Sequence, residues 1–362
     1  MPIQIFRLEN PPLLGTTKAG QEIFLGGFSG LHFVKQEAGK VHFMSVTDRG
    51  PNAEEIEIGK GGKIRPFLLP DFSPRLIEFS ADTSSSTLSV ESHRAFLGAD
   101  GTGLTGFPPP PQKIDKDKKI ETPSDIYGKV LKDVRPGVDP EGFCVFQNTY
   151  LVSEEYGPDL LQFDQNLKQI NRWSPGKGLP AEFALRKTNR GIEGLACDKT
   201  HAYLFLQSPL KATKKELDLE HVRLAKFNPL SGKTESEFYY PVISKAADKI
   251  GDLTIVRNNV FLVIEQNGKI GPEGYRKIFK IDISKVDSRN VVEKELIVDL
   301  NELKFDFPEK IEGITVIDEK TIALVIDNDF GLAGPINLKT GEVTFSPDSR
   351  TYLAIIHLEK AL

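Results

Sequence analysis

Acidic residues next to glycine recur along this chain, and they are the side chains whose type and spacing could do chemistry. Each pair opens an apolar run, and a further acidic cluster closes most of these runs. The openings are Glu141-Gly142, Glu193-Gly194, Gly251-Asp252 and Glu312-Gly313, and Ser29-Gly30 carries a hydroxyl in place of the acid. The closing acids are Asp48, Glu154, Glu155, Glu265, Asp327 and Asp329. Several carboxylates gathered at one place would repel one another and take up protons unless a cation compensated them.

The side chains available at such a place favour a hard divalent cation. Calcium prefers carboxylate oxygens, so it is the ion that we expect. Structural zinc is disfavoured, because the six histidines keep no ligand spacing and the chain has only two cysteines. The predicted metal ligands are Glu141, Glu155, Glu193, Asp252, Glu265, Glu312 and Asp327.

Basic residues accompany these acids. Arg49, Arg190, Lys249 and Lys310 each lie within three residues of one of them. A site that holds both metal ions and basic side chains suits a phosphate-bearing ligand, because both can share its oxygens. The simpler alternative is that each acid–glycine pair only shapes a turn, with its carboxylate accepting backbone N–H groups and pairing with the nearby cation.

The glycines also predict the elements that would bring these acids together. From Gly142 onward they recur roughly every 50 to 60 residues, and the interval from Gly30 to Gly142 is about twice as long. Six units of several short strands predict one all-β domain over residues 1–362, a six-bladed β-propeller. In such a ring the first strand of each blade lines a central channel, so the acids would converge on one mouth. The alternating residues 1–10 predict a strand that completes the last blade.

Composition limits the partners of this domain. Lys and Arg total 46 against 51 Asp and Glu, a net charge of −5, so no strong basic field exists to attract nucleic acid or anionic lipid. No apolar run approaches the roughly 18 residues that a membrane span needs. We expect residues 108–125, rich in proline and then lysine, to form an exposed excursion, because proline cannot donate to a sheet and the lysines cannot be buried.

Two further expectations concern the chain start and the cysteines. The first residues lack the charged, apolar and small-residue regions of a secretory signal, so we expect either a cytosolic protein or one whose signal has been removed. Cys144 and Cys197 follow Glu141 and Glu193 by three and four residues. Alternation along a strand then predicts that the two thiols face opposite sides and remain free.

The motifs, taken in order, resemble those of the phytase-like proteins described as having esterase-like activity. The resemblance spans nearly the whole chain, and the residues that carry it are Gly27–Leu31, Ser45–Gly50, Leu104–Pro108, Asp139–Phe143, Ser153–Pro158, Arg190–Ala196, Tyr239–Pro241, Lys249–Leu253, Glu312–Ile314 and Asp327–Gly331. It implies a β-propeller and a metal-dependent phosphoester hydrolase that acts on phytate or another phosphorylated compound. It also implies a periplasmic or secreted protein, since members are commonly exported.

The hypothesis that follows is a calcium-dependent hydrolase of phosphoric esters with a small phosphorylated substrate. Calcium at the channel mouth would activate a water molecule, Glu141 and Glu193 would be the catalytic carboxylates, and Arg49, Arg190 and Lys310 would bind the ester. Two alternatives stay open. One is a calcium-dependent lactonase or carboxylic esterase, and the other is a non-catalytic binding propeller whose metal only rigidifies the ring.

Overall fold

A computed structural model describes most of the chain, and almost all of its regular structure is β-strand. The described residues are 1–59, 62–109, 121–132, 135, 137–211, 213–242, 246–269, 271–303, 305, 307–308, 310–326, 328–347 and 350–362. Helices are short in this part of the chain, with one α-helical turn at Glu216–Glu220 and 3-10 turns at Ala181–Leu185, Gly271–Glu273, Leu300–Glu302 and Asp329–Gly331.

The strands form four-stranded antiparallel sheets, which are the blades of a propeller, and each is given from its inner strand outward. Blade 1 comprises Phe28–Glu37, Lys40–Thr47, Arg75–Asp82 and Thr87–Ala95. Blade 2 comprises Pro140–Phe146, Thr149–Glu154, Leu160–Phe163 and Gln169–Pro175, with Gly178–Leu179 added at its edge. Blade 3 comprises Ile192–Cys197, Ala202–Leu206, His221–Asn228 and Lys233–Pro241. Blade 4 comprises Lys249–Arg257, Val260–Gln266, Arg276–Val286 and Val292–Asp299.

Blade 5 joins the two ends of the chain. It comprises Ile311–Asp318, Thr321–Ile326, Tyr352–His357 and the N-terminal strand Ile3–Leu8. Ile3–Leu8 pairs antiparallel with Tyr352–His357, and it also contacts the outer strand of blade 1 in parallel. The prediction that the N-terminal strand completes the last blade is therefore confirmed.

The ring closes because each inner strand packs closely against the next one. A methyl group added at any of four glycines would come within 3.0 Å of a backbone atom of the next inner strand, so only glycine fits there. In blade 4 the corresponding place belongs to Asp252, whose Oδ2 accepts the Ile314 N–H at 2.9 Å. The contacts run from Gly30 to Phe143, from Gly142 to Leu195, from Gly194 to Leu253, from Asp252 to Ile314 and from Gly313 back to Gly30.

Five such steps return to the start, so the described strands form five blades and the prediction of six is wrong. The long interval between Gly30 and Gly142 was interpreted as two repeats. It instead holds the rest of blade 1 and a small accessory sheet of Ile56–Ile58, Gly62–Pro66 and Thr122–Ser124. Two two-stranded sheets, Leu13–Thr16 with Glu22–Phe24 and Leu332–Ala333 with Thr344–Phe345, also lie outside the blades.

Only part of the predicted exposed excursion at 108–125 lies within the described residues. Residues 110–120 lie outside the described residues. Thr122–Ser124 differs from the expectation, because it pairs with Gly62–Pro66 and because Ser124 is fully buried.

Apolar side chains from neighbouring blades form the core between the sheets. Strands in the middle of a blade are therefore buried on both faces, as Ala202–Leu206 and Thr321–Ile326 are. An additional cluster around Ile23, Leu68 and Ile126 packs the accessory strands together. None of the described helices is both long enough and apolar enough to span a membrane.

A β-bulge interrupts every inner strand near its acid–glycine pair. A bulge adds one residue to one strand of a pair and turns the side chains around it. Cys144 and Cys197 follow these bulges on neighbouring inner strands, and the prediction that they form no disulfide is confirmed. Both thiols are free and line the same cavity of about 150 Å³, which lies further along the inner strands than the acids do.

Candidate functional site

Side chains from all five blades line one polar pocket of about 460 Å³, where the inner strands begin. The inner strands of the five blades begin around this pocket, and each carries its bulge at an equivalent position. Residues that are far apart in sequence therefore meet here. Its charged lining consists of eight acids and four bases. They are Asp48, Asp139, Glu141, Glu155, Glu193, Asp248, Glu312 and Asp329, together with Arg49, Arg190, Lys249 and Lys310.

Three carboxylates of blade 2 form the tightest acidic group of the pocket. Asp139 and Glu141 stand at the start of the inner strand, Glu155 follows the second strand, and one oxygen from each lies within 4.8 Å of the others. The Arg49 backbone N–H donates to Asp139 Oδ1 at 3.0 Å, and the Ser29 hydroxyl donates to Glu141 Oε2 at 3.1 Å. We call Asp139, Glu141 and Glu155 the blade 2 trio.

The electrostatics of the blade 2 trio fit a bound cation. Burial, followed by repulsion from Asp139, raises the pKa of Glu155 to about 7. Burial, followed by repulsion from Glu193, raises the pKa of Glu141 well above its ordinary value. A divalent cation would reverse both effects by compensating the buried charge, and three carboxylates supply the oxygen ligands that calcium or a similar hard ion binds.

Glu193 and Glu312 form a second acidic pair on the blade 3 and blade 5 side of the pocket. Both are buried, and the Oε2 atom of each has no hydrogen-bond partner among the described residues. Burial, followed by repulsion from Glu312, raises the pKa of Glu193 well above its ordinary value. The Lys249 ammonium lies 3.4 Å from Glu312 Oε1, and the Lys310 ammonium lies 3.9 Å from the same atom.

The remaining two cations of the lining, Arg49 and Arg190, lie near different acids. Arg49 Nη1 lies 3.3 Å from Asp139 Oδ2 and 3.9 Å from Glu121 Oε2. Arg190 Nη2 lies 3.9 Å from Asp248 Oδ2. The pocket can therefore offer positive charge to an anion from several blades.

Most of the predicted site residues meet in this pocket. The structure brings together Glu141, Glu155, Glu193, Glu312, Arg49, Arg190 and Lys310. Asp327 lies outside the described residues. The prediction omitted Asp139, although its position two residues before Glu141 places both on one face of a strand and could have identified it. It also left Lys249 out of the ligand-binding set.

Two predicted metal ligands do not reach the pocket lining, and each is held by other groups. Asp252 comes after its glycine rather than before it, so it occupies the place of the packing glycines and binds Ile314. Glu265 is fully buried within blade 4, where it accepts hydrogen bonds from Tyr240 at 2.8 Å, from Tyr275 at 3.1 Å and from Lys294.

Glu154 differs from its neighbour Glu155 in role. Its carboxylate accepts the backbone N–H groups of Tyr156 at 2.9 Å and Asp159 at 3.0 Å, and also that of Gly157. Glu154 therefore stabilises the turn that contains Glu155. This is the role that the simpler alternative gave to the acids, in which a carboxylate accepts backbone N–H groups and shapes a turn.

The fold and the pocket together define a β-propeller with a strongly acidic channel mouth. The family model described as "Phytase-like: Esterase-like activity of phytase" matches residues 23–330. The chain belongs to this family, and the resemblance found in its motifs is confirmed.

The solved structures described here have low sequence identity to this chain. No curated protein matches the sequence significantly. Among solved structures, the arabinanase Arb43A of Bacillus subtilis is similar with 10% identity and a TM-score of 0.41, over 96% of this chain and 97% of that one. The PQQ-bound aldose sugar dehydrogenase of Streptomyces coelicolor is similar with 10% identity and a TM-score of 0.37, over 98% and 99% of the two chains.

Proposed function

We propose that the protein is a calcium-dependent hydrolase of phosphoric esters whose active site is the channel-mouth pocket. The observation that carries this proposal is the presence, in one pocket of a phytase-like propeller, of a carboxylate trio with two of its three members buried and of four basic side chains. The first group suits a hard cation, and the second suits the oxygens of a phosphoryl group.

Asp139, Glu141 and Glu155 are the residues that would hold the ion. Bound there, calcium would supply positive charge to the phosphoryl oxygens and would lower the pKa of a water molecule. The trio fits this task because its three oxygens converge and because burial leaves their negative charges uncompensated by solvent.

The basic side chains bind and orient the ester in this proposal. Arg190 and Lys310 approach the pocket from blades 3 and 5, while Arg49 stands on the side of blade 1. Acids outnumber bases by eight to four in the lining, so the empty pocket repels an anion. Phosphate binding is therefore expected to depend on the cation.

Glu193 is the residue that we assign as proton acceptor. Glu193 lines the pocket, its buried Oε2 atom has no hydrogen-bond partner among the described residues, and its raised pKa makes it a stronger base than an ordinary carboxylate. Glu141 was predicted to share this role, but a carboxylate that holds a cation is a weak base, so we place it among the ion ligands.

Phosphate release from a panel of phosphomonoesters tests the proposal. We expect the calcium-loaded enzyme to release phosphate and the chelator-treated enzyme to lose at least about 100-fold in rate. Glu193→Gln should lower kcat by about 100-fold or more, whereas Glu295→Gln, which is 65% exposed, should leave it unchanged. Equal rates with and without calcium would refute the mechanism.

The same preparation separates the alternatives. Hydrolysis of lactones or carboxylic esters without phosphate release would identify the site as an esterase. A calcium-dependent rise in melting temperature with no hydrolysis of any ester would identify a binding propeller.

A further inference from the structure

Lys249 is a buried cation placed inside the ring of carboxylates. It is the first residue of the blade 4 inner strand, only 6% of its surface is exposed, and its ammonium lies 3.4 Å from Glu312 Oε1. A lysine is rarely buried to this degree unless acids pair with it. Its location beside Glu312, in a pocket lined by eight acids, therefore needs an explanation.

The neighbouring acids show what the ammonium compensates. Glu193 and Glu312 are 2% and 6% exposed, and each keeps one oxygen without a hydrogen-bond partner in the part of the chain that the structure describes. The positive charge of Lys249 opposes burial by lowering the pKa of Glu193 and, among weaker effects, that of Glu155. One tethered charge therefore serves acids of three blades.

We infer that the Lys249 ammonium group occupies the place where a second divalent ion would otherwise bind between Glu193 and Glu312. Lys249 thereby limits the pocket to one divalent ion, which is held by the blade 2 trio. This inference rests on the proposed function for that first ion. Lys249 is a positioning residue in this account, because its ammonium group leaves the Glu193 carboxylate without a metal ion and available for proton transfer.

The physical reason is competition for the same oxygens. A second divalent ion near Lys249 would meet a like charge in a buried pocket, where repulsion is poorly screened. Without the Lys249 ammonium, Glu312 Oε1 and the two unpartnered Oε2 atoms would be three acceptor oxygens beside the more distant and more exposed Lys310. Such a set is costly when empty and favours a hard cation.

Calcium stoichiometry, measured by equilibrium dialysis of the purified full-length chain and by calorimetric titration, tests the inference without using activity. We expect one calcium ion per chain for the wild type and for Lys249→Arg. Lys249→Met, which keeps the length of the side chain but not its charge, should bind two. Lys310→Met is the matched control, because Lys310 approaches the same Glu312 oxygen at 3.9 Å but is 34% exposed, and it should still bind one.

A second variant decides the matter if Lys249→Met does not fold. Glu312→Gln removes the acid that pairs with Lys249 but no ligand of the first ion, so one calcium ion should still bind with an affinity within about threefold of wild type. A loss of tenfold or more would place Glu312 among the ligands and overturn the inference.

The remaining outcomes separate this inference from the proposed function. Two ions in the wild type, or one ion in folded Lys249→Met, would overturn the role of Lys249 while leaving a calcium-dependent site. No ion in the wild type would remove the calcium requirement, and this inference with it.

Discussion

A close contact between the inner strands of blades 2 and 3 predicts a large effect of one added methyl group. In Gly142→Ala the new Cβ would lie 2.5 Å from Leu195 Cβ, 2.8 Å from the Leu195 nitrogen and 2.7 Å from Ser153 Oγ. Carbon atoms normally approach to about 3.5–4.0 Å, so the two inner strands would have to separate by about 1 Å. The φ angle of Gly142 is not positive, so the penalty is steric.

The expected loss is about 3 kcal/mol in the free energy of unfolding. Overpacking of this kind costs about 1–3 kcal/mol. Displacing Ser153 also weakens the bond from the Gly142 N–H to Ser153 Oγ, now 2.9 Å long and worth about 1 kcal/mol. With an unfolding entropy of about 2.1 cal/mol/K per residue over 362 residues, the melting temperature should fall by about 4 °C.

Calorimetric unfolding in the presence of a chelator measures this effect apart from calcium binding. Gly59→Ala is the control, because a methyl group there meets nothing within 4 Å, and it should be neutral or stabilise slightly. If Gly142→Ala unfolds within 1 °C of this control, the ring does not depend on close packing at the glycines and the reasoning fails.

Three other predictions concern stability and ion binding. Burial lowers the pKa of His32 from 6.5 to about 4. As the pH falls, the unfolded chain therefore binds a proton at this histidine before the folded chain does, and the free energy of unfolding should decrease by roughly 3 kcal/mol between these two pKa values. His32→Phe should abolish this loss in pH-dependent melting. Glu154→Gln should cost about 1–3 kcal/mol of stability and keep calcium affinity, whereas Glu155→Gln should weaken calcium binding by about tenfold or more in calorimetric titration. Gln266→Leu should destabilise by roughly 2–4 kcal/mol in denaturant unfolding, because the Gln266 amide bonds both Ile311 O at 2.7 Å and Ile311 N at 3.1 Å.

A specific experimental result would contradict each of these three predictions. A His32→Phe variant as acid-sensitive as wild type would mean that His32 is protonated in the folded protein. Equal calcium affinities for the Glu154 and Glu155 variants would remove Glu155 from the ion site. An unchanged Gln266→Leu variant would show that the link between blades 4 and 5 contributes nothing.

The repeated acid–glycine pairs predicted the central features of the fold because they serve two physical needs at once. Each glycine permits the close approach of the next strand, as Gly142 does at Leu195, and each preceding acid reaches the mouth, as Glu141, Glu193 and Glu312 do. The sequence thus located the inner strands and most of the pocket.

The errors arose where the sequence could not reveal the partner of a side chain. The reversed order in Gly251-Asp252 was treated as equivalent to the other pairs, yet it moves the carboxylate onto the next blade at Ile314. Glu265 resembles the other closing acids, but its partners are Tyr240 on the outer strand of blade 3 and Tyr275 and Lys294 in blade 4. The blade count failed because an accessory sheet filled an interval of nearly two periods.

The most direct test of the central claim is the anomalous diffraction signal from crystals grown with calcium and a non-hydrolysable phosphate ester. We predict a calcium ion about 2.3–2.6 Å from oxygens of Asp139, Glu141 and Glu155, with the phosphoryl group between that ion and the cations Arg190 and Lys310. A calcium ion bound away from this trio, or a phosphate ester bound at another surface while the pocket holds only solvent, would contradict it.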